Sequence, residues 1–258
     1  MAIITLTTDL GDKDFYQAAL KGSILKLLPS VNIVDITNSV SAYNIQQAAF
    51  ILKNSFYYFP EETVHLVGID TVISDDTRYL AVKYQKHYFI GADNGLFSLA
   101  FDTLPEEIVE INLRQDLKFL HFPLADIFVK AACHLANGGK LSEIGIPVDD
   151  LYQKMNFQPV IEKNRIKGSV IYIDSFQNVI TNITKDFFTT VQQGRHFVLS
   201  FKRNETISQL SWHYNEVPEG EKLCLFGISD HLEIAINKGN ASGLLGLALG
   251  DSVIIEFA

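Results

Sequence analysis

Several things are scarce or missing in this 258-residue chain, and each narrows what it can be. Cysteine occurs only twice, as Cys133 and Cys224, far apart in sequence. That rules out a Cys-based zinc site and gives no disulfide framework. No stretch approaches the roughly 18 apolar residues that a membrane-spanning helix needs. The opening segment has no basic start followed by an apolar run, since Thr7, Thr8, Asp9, Asp12, Lys13 and Asp14 interrupt it, so neither a signal peptide nor a membrane partner is expected. Basic residues are in deficit, with 21 Lys plus Arg against 30 Asp plus Glu and a formal charge of −9. That balance repels phosphate backbones, and nucleic acid is not an expected partner. The expected location is cytoplasmic. No G-x-G-x-x-G or Walker A sequence follows the first apolar run, so a dinucleotide or triphosphate cradle is not expected either.

What is present is ample core material: 47% hydrophobic and 20% charged residues describe a globular protein long enough for one large or two modest domains. The first half alternates short apolar runs with helical patterns. Residues 3–8 read as a buried strand, followed by helical spacing of Phe15, Ala18, Ala19, Leu25 and Leu28, with Asp14 and Gln17 placed as N-cap and N3 partner and Pro29 closing the helix. Then come a strand at 32–37, a helix at 44–56 and a strand at 63–70. This rhythm predicts an α/β domain on a parallel sheet, with its strand ends collected along one edge. From residue 79 two strands joined near Gln85 and Lys86 follow, closing at Asp93-Asn94-Gly95, and a helix spans 126–136 before Asn137-Gly138-Gly139. Beyond residue 165 six strand-like runs, "GSVIYID", "NVITNIT", "RHFVLSF", "KLCLFGI", "LEIAIN" and "DSVIIEF", predict a smaller all-β barrel or sandwich. The polar stretch 149–165 reads as the linker, giving an α/β domain over 1–155 and an all-β domain over 165–258.

Three clusters stand out. "TLTTDLGDKD" places Asp9, Asp12 and Asp14 with Gly11 directly after the first strand. Such carboxylates either cap and solvate a turn or grip a ligand; a carboxylate offers two acceptor oxygens that suit vicinal hydroxyls. Asp12 fits the turn role. Asp9 sits at the strand terminus, where a ligand would lie, and Gly11 allows close backbone approach. "VGIDTVISDDTRYL" repeats the pattern, with Asp70 ending a strand ahead of Ser74, Asp75, Asp76 and Arg78; a salt bridge from Arg78 to Asp75 or Asp76 is the plainer alternative. "YIDSFQNVITNI" sets Asp174, Asn178 and Asn182 into an apolar hairpin, facing either solvent or a ligand.

Six blocks, "TTDLGDKDFYQAALKGSIL", "IVDITNSVSAYNIQQAAFIL", "FPEETVHLVGID", "GADNGLFS", "IDSFQNVITNI" and "LEIAINKGNASGLLGLALGDSV", run in order through nearly the whole chain. Together they resemble the S-adenosyl-L-methionine hydroxide adenosyltransferase family, relatives of the adenosyl-fluoride and adenosyl-chloride synthases. The resemblance implies an α/β domain followed by a small β domain, in trimers whose ligand lies between one subunit's N-terminal domain and its neighbour's C-terminal domain. It implies that Asp9 holds the ribose hydroxyls, Tyr43 flanks the nucleoside, Tyr214 stacks on the adenine, Asn178 meets the adenine edge, Asp174 receives the methionine ammonium and Asp14 lies near the methionine end. The implied chemistry is attack of water or hydroxide at the adenosyl 5′ carbon, giving adenosine and methionine, with an Asp, an Arg and a His in the hydrolytic members and neither cofactor nor metal. Asp70 matches the Asp.

The chain departs from the family at three points. Asp70-Thr71-Val72-Ile73-Ser74 stands for Asp-Pro-Gly-Val-Gly, and Thr77-Arg78 for a pair of arginines, so that Arg78 falls on the second. Phe122-Pro123-Leu124-Ala125-Asp126 stands for Phe-His-Gly-Arg-Asp, with Pro123 at the histidine. Gly227-Ile228 stands for an Asn-Ser pair. Proline cannot relay a proton. His121, two residues earlier, points to the same side if the segment is extended, and is either a substitute or an ordinary surface histidine. Three readings follow: a hydrolase of S-adenosylmethionine, a catalytically inactive binder of adenosine or S-adenosylmethionine, and a nucleoside hydrolase using Ca²⁺ or Mg²⁺ held by strand-end aspartates.

Overall fold

The run at residues 3–8 is almost entirely β-branched, a composition that favours extended backbone packed on both faces. It forms β1 (Ile3–Thr8), buried along nearly its whole length. In the computed structural model, which describes residues 2–71, 77–155, 157–202 and 205–258, two compact units divide the chain, Met1–Met155 and Asn156–Ala258.

In the first unit β1 is followed by α1 (Tyr16–Leu27), β2 (Asn32–Thr37), α2 (Ile45–Lys53), β3 (Val64–Gly68), β4 (Tyr79–Tyr84), β5 (His87–Ala92), α3 (Leu96–Ala100), β6 (Glu107–Ile111), α4 (Ile127–Ala136) and β7 (Gly145–Pro147). The strands form one sheet in the order β2-β1-β3-β5-β4-β6-β7. β2, β1, β3 and β5 are parallel; β4, β6 and β7 continue the sheet antiparallel, so the expected parallel sheet is in fact mixed. The reason is local. Gln85 and Lys86 both adopt left-handed backbone, φ +48° and +65°, and make the tight hairpin that turns β4 back onto β5.

Alternation along each strand sends side chains to two helical layers. Ile4, Leu6, Leu66 and Ile90 pack with Leu20 and Ile24 of α1 and with α4, while Val67, Leu80 and Phe89 pack with α2 and α3 on the other face. β1 is the pivot: the chain crosses from it to β2 on one side, and β3 lies on the other. The carboxyl ends of β1 and β3 therefore flank the point where the strand order reverses, which is where open α/β sheets hold ligands.

Two local expectations change. Asp14 does not cap α1. The first helical hydrogen bond runs from the Ala19 N–H to the Phe15 carbonyl, Phe15 is the N-cap, and no side chain caps that end, which leaves Asp14 exposed among bends. The helix expected at 44–56 stops at Lys53; its Asn44 cap is real, accepting from the Gln47 N–H at 3.0 Å.

The second unit carries β8 (Val160–Glu162), β9 (Arg165–Ile173), β10 (Val179–Thr184), α5 (Lys185–Gln192), β11 (Phe197–Phe201), β12 (Glu205–Ile207), β13 (Lys222–Phe226), β14 (His231–Ile236), α6 (Ala241–Leu245) and β15 (Ser252–Phe257). The order is β12-β11-β15-β9-β10-β14-β13, with β8 added on β9. A bridge between Leu210, just after β12, and Cys224 of β13 curls the sheet into a nearly closed barrel filled by Ile166, Val179, Leu199, Leu232 and Val253. β8 lies inside the span read as linker, because its exposed, aperiodic residues give no strand signal. Each unit holds one free, buried cysteine, Cys133 in the first and Cys224 in the second.

Candidate active site

At the carboxyl end of β1, the chain is tied to the end of β2 by the Thr8 hydroxyl donating to Asn38 Oδ1 (2.7 Å) and the Gly11 N–H donating to the Asn38 carbonyl (2.7 Å). Gly11 has φ +67°, the left-handed backbone this fold-back needs. Asp9, partly buried, projects from this corner and its Oδ2 accepts the Tyr43 N–H at 2.9 Å. Tyr43 itself has φ +63°, unusual for a non-glycine, and the residue is 66% exposed. Asp9 and Tyr43, both site residues expected from the sequence, are thus joined in one hydrogen-bonded corner that carries a carboxylate and an exposed tyrosine.

β3 pairs directly with β1, placing Asp70 beyond the adjacent strand end. Asp70 is also left-handed, at φ +47°; such backbone costs about 1–3 kcal/mol and concentrates at functional sites. The Asn94 amide braces it, donating to the Ile69 carbonyl at 2.9 Å and the Asp70 carbonyl at 3.4 Å, while Tyr79 Oη donates to the Thr71 carbonyl at 3.0 Å. Asp75 and Asp76 lie outside the described residues. Arg78 spends its guanidinium elsewhere. It donates to Asp93 through Nε (3.1 Å) and Nη2, and to Asp150 through Nη1 (3.0 Å). Hydrogen bonding to Asp150, then to Asp93, lifts the guanidinium above its ordinary value and keeps it a fixed cation, and Arg78 in turn holds the Asp150 carboxyl low.

The segment 122–126 lies on the end of β3: a β-carbon at Gly68 would stand 2.0 Å from Leu124 Cδ2, so the loop is pressed onto bare backbone. Pro123 and Leu124 are buried. His121 is exposed, and the extended backbone on which its alignment with Pro123 depends is absent, because short 3-10 turns at Leu117–Phe119 and Pro123–Ala125 flank it. Asp14 stands at the start of α1 before Phe15 and Tyr16, whose rings stack at 4.4 Å; Tyr16 meets Phe122 edge-on at 5.4 Å.

In the second unit Asp174 and Asn178 close the β9–β10 hairpin together. Asp174 Oδ1 accepts the Asn178 N–H (2.8 Å) and Oδ2 accepts its side-chain amide (3.1 Å), with Gln177 between them at φ +67°. Asn178 is buried. Tyr214 lies in the 3-10 turn Tyr214–Glu216 and its hydroxyl donates to Glu233 Oε1 at 2.7 Å. Burial and the negative charge of Asp174 both push the Glu233 carboxyl up, against the opposing hydrogen bond from Tyr214; burial, then Glu233 and Asp174, raise the Tyr214 phenol. Asp174, Tyr214 and Glu233 are therefore electrostatic neighbours.

Asp93 and Asn94 are marked by the sequence only as a turn, and Glu233 not at all. Asp93 was findable by the rule that singles out Asp9 and Asp70, since it follows β5 as they follow β1 and β3. Glu233 was not: inside "LEIAIN" it reads as an outward-facing residue of an alternating strand. Among the described residues no group of three or more His, Cys, Asp or Glu side chains is placed to hold a metal ion.

With this geometry in hand, comparison with known proteins is specific. Residues 4–145 match the family model described as the SAM hydroxide adenosyltransferase N-terminal domain, and residues 168–254 match its C-terminal domain. A Methanocaldococcus jannaschii protein named (R)-S-adenosyl-L-methionine hydrolase is 30% identical, over 99% of this chain and 96% of its own. A protein of the same name from Thermus thermophilus is 28% identical, over 97% and 98%. A crystal structure of an uncharacterised conserved protein from Thermotoga maritima superposes with a TM-score of 0.88 at 29% identity, covering 98% of this chain and 99% of that one.

Proposed function

Because the chain belongs to the SAM hydroxide adenosyltransferase family, we propose that it hydrolyses S-adenosyl-L-methionine to adenosine and methionine. The observation that carries the reading is the pair of carboxylates at the carboxyl ends of β1 and β3, flanking the reversal of strand order, one of them held by the Tyr43 N–H. In this reading Asp9 accepts the ribose hydroxyls and Tyr43 flanks the nucleoside; Tyr214 covers the adenine, Asn178 meets its edge, and Asp174 receives the ammonium of the methionine end, with Asp14 near that end of the ligand. A water oxygen forms a bond to the 5′ carbon as the carbon–sulfur bond breaks, its electron pair leaving on sulfur as a neutral thioether. The leaving group needs no acid, so the protein's task is to hold a desolvated water in line and take its proton. Asp70 is the acceptor, and Arg78 a fixed cation anchored on Asp93 and Asp150. The site lies between subunits of a homotrimer, and the chain works in the cytoplasm.

The test is incubation of the chain with S-adenosylmethionine and chromatography for adenosine and methionine, against a control without protein. Adenosine is expected to accumulate above the control, Asp70→Asn to lower kcat at least about tenfold, and Asp9→Ala to act mainly on KM. A buried proline at the family's histidine supports a second reading, a binder that does not turn its ligand over. Intact S-adenosylmethionine retained by the protein, with no adenosine above the control, would select that reading over hydrolysis.

A further inference from the structure

Glu233 occupies the middle of β14, paired on one side with Ile180 of β10 and on the other with Leu225 of β13. Its neighbours Leu223, Leu225 and Ala235 form a small apolar cluster, apart from the barrel interior, that Val217 covers. A carboxylate 6% exposed on such a surface is costly unless something there uses it. What reaches it is Tyr214, and the backbone makes room for the contact. Gly227 lies beside the β13–β14 turn, and a β-carbon there would stand 2.7 Å from Glu233 Oε2. A strand-interior acid thus makes the bond through one oxygen, and its other oxygen faces a position without a side chain.

We propose that Glu233 is a positioning residue: by accepting the Tyr214 hydroxyl it sets the angle at which the Tyr214 ring meets the base of the adenosyl ligand, and Gly227 is bare so that it can. The proposal rests on the reading of Tyr214 as the group that covers the adenine. Tyr214 is 43% exposed and sits in a single 3-10 turn, so packing alone leaves its ring under-determined. A ring fixed before the ligand arrives loses less freedom on binding. Since Tyr214 would touch the base alike in ground and transition states, its loss raises KM and leaves kcat nearly unchanged.

The experiment measures adenosine affinity calorimetrically on the full chain, adenosine being neutral, so that the charge of Glu233 drops out. Tyr214→Leu is expected to weaken binding about tenfold, the size of a lost aromatic–base stack. Glu233→Ala should approach that loss, Glu233→Gln, which keeps an acceptor oxygen, should stay within about twofold, and the Glu233→Ala/Tyr214→Leu pair should be no weaker than Tyr214→Leu alone. Gly227→Ala provides an independent route: it displaces only the end of the Glu233 side chain and should weaken adenosine in the same direction, which keeps the test open if Glu233→Ala fails to fold. Weak binding by Tyr214→Leu with unaltered binding by Glu233→Ala or Gly227→Ala overturns the proposal and leaves the adenine reading standing. Unaltered binding by Tyr214→Leu sinks that reading, and the proposal with it.

Discussion

His65 illustrates how much a single residue in this fold can set. It is wholly buried, its Nδ1 lies 2.7 Å from the Thr5 hydroxyl and its Nε2 3.3 Å from His87 Nδ1, and its ring stacks on Phe89 at 4.7 Å. Burial, then the nearby His87, pushes its pKa down to about 3, and burial lowers His87 as well. An unfolded chain binds a proton at His65 below about pH 6.5 that the folded chain refuses. The stabilisation is therefore complete above pH 6.5 and drains away as pH falls toward 3, at about 1.4 kcal/mol per pH unit within that window. Urea midpoints of the first unit's transition should fall between pH 7 and pH 4.5, and less steeply in His65→Phe; identical slopes would refute the assignment. Residues of this kind divide the site by legibility. Asp9 and Asp70 stand out in the sequence as candidates because each places a carboxylate directly after an apolar run. Glu233 escapes, because only the cover laid over β14 by Tyr214 and Val217 turns an alternating position into a buried one, and alternation within the strand does not reveal that cover.

At the scale of elements, six of the eight strands of the second unit, all but β8 and β12, and the β1, β2 and β4–β5 boundaries can be read because period-two alternation and punctuating turns coincide there. α5 and α6 cannot. α5 follows directly on β10, its start marked by Thr184 Oγ1 accepting the Phe187 N–H at 3.3 Å, with no loop residues between strand and helix. α6 is five residues long and has Gly243 within it, which reads as a turn until the Asn240 cap is seen accepting the Gly243 N–H. The junction of β3 with the segment 122–126 is also invisible in sequence, since Gly68 and Leu124 are brought together only by the fold. It yields a definite expectation. Gly68→Ala forces Leu124 off the end of β3, and overpacking of this kind costs about 1–3 kcal/mol. The thermal midpoint should drop accordingly, and the Asp70 loop that begins two residues later should lose activity more than stability alone accounts for. Leu124→Ala should restore part of the midpoint in the double variant; no restoration would mean the clash is relieved elsewhere.

For the whole molecule, order of blocks mattered more than any one motif. An α/β half and a β half can be separated by the rhythm of their apolar runs, yet neither half's chemistry follows from its fold class. The ordered succession of six short blocks is what ties the strand-end carboxylates of the first unit and the Asp174–Asn178 hairpin of the second to one family. The mixed sheet, and the choice of a barrel over a sandwich, lie beyond such reading, because strand order and closure depend on pairings between residues far apart in the chain.

The distribution of the two thiols gives this molecule a built-in pair of timers. Cys133 reaches the Ile24 carbonyl at 3.8 Å from within the first core, Cys224 the Gln209 carbonyl at 3.5 Å from within the second, and burial raises them to about 11 and about 12. Neither is nucleophilic at neutral pH until its surroundings part. A disulfide reagent added in mild denaturant should consume them in two phases, and Cys133→Ala or Cys224→Ala should each delete one of the two. Breathing of either half of the chain can then be clocked without attaching a foreign probe.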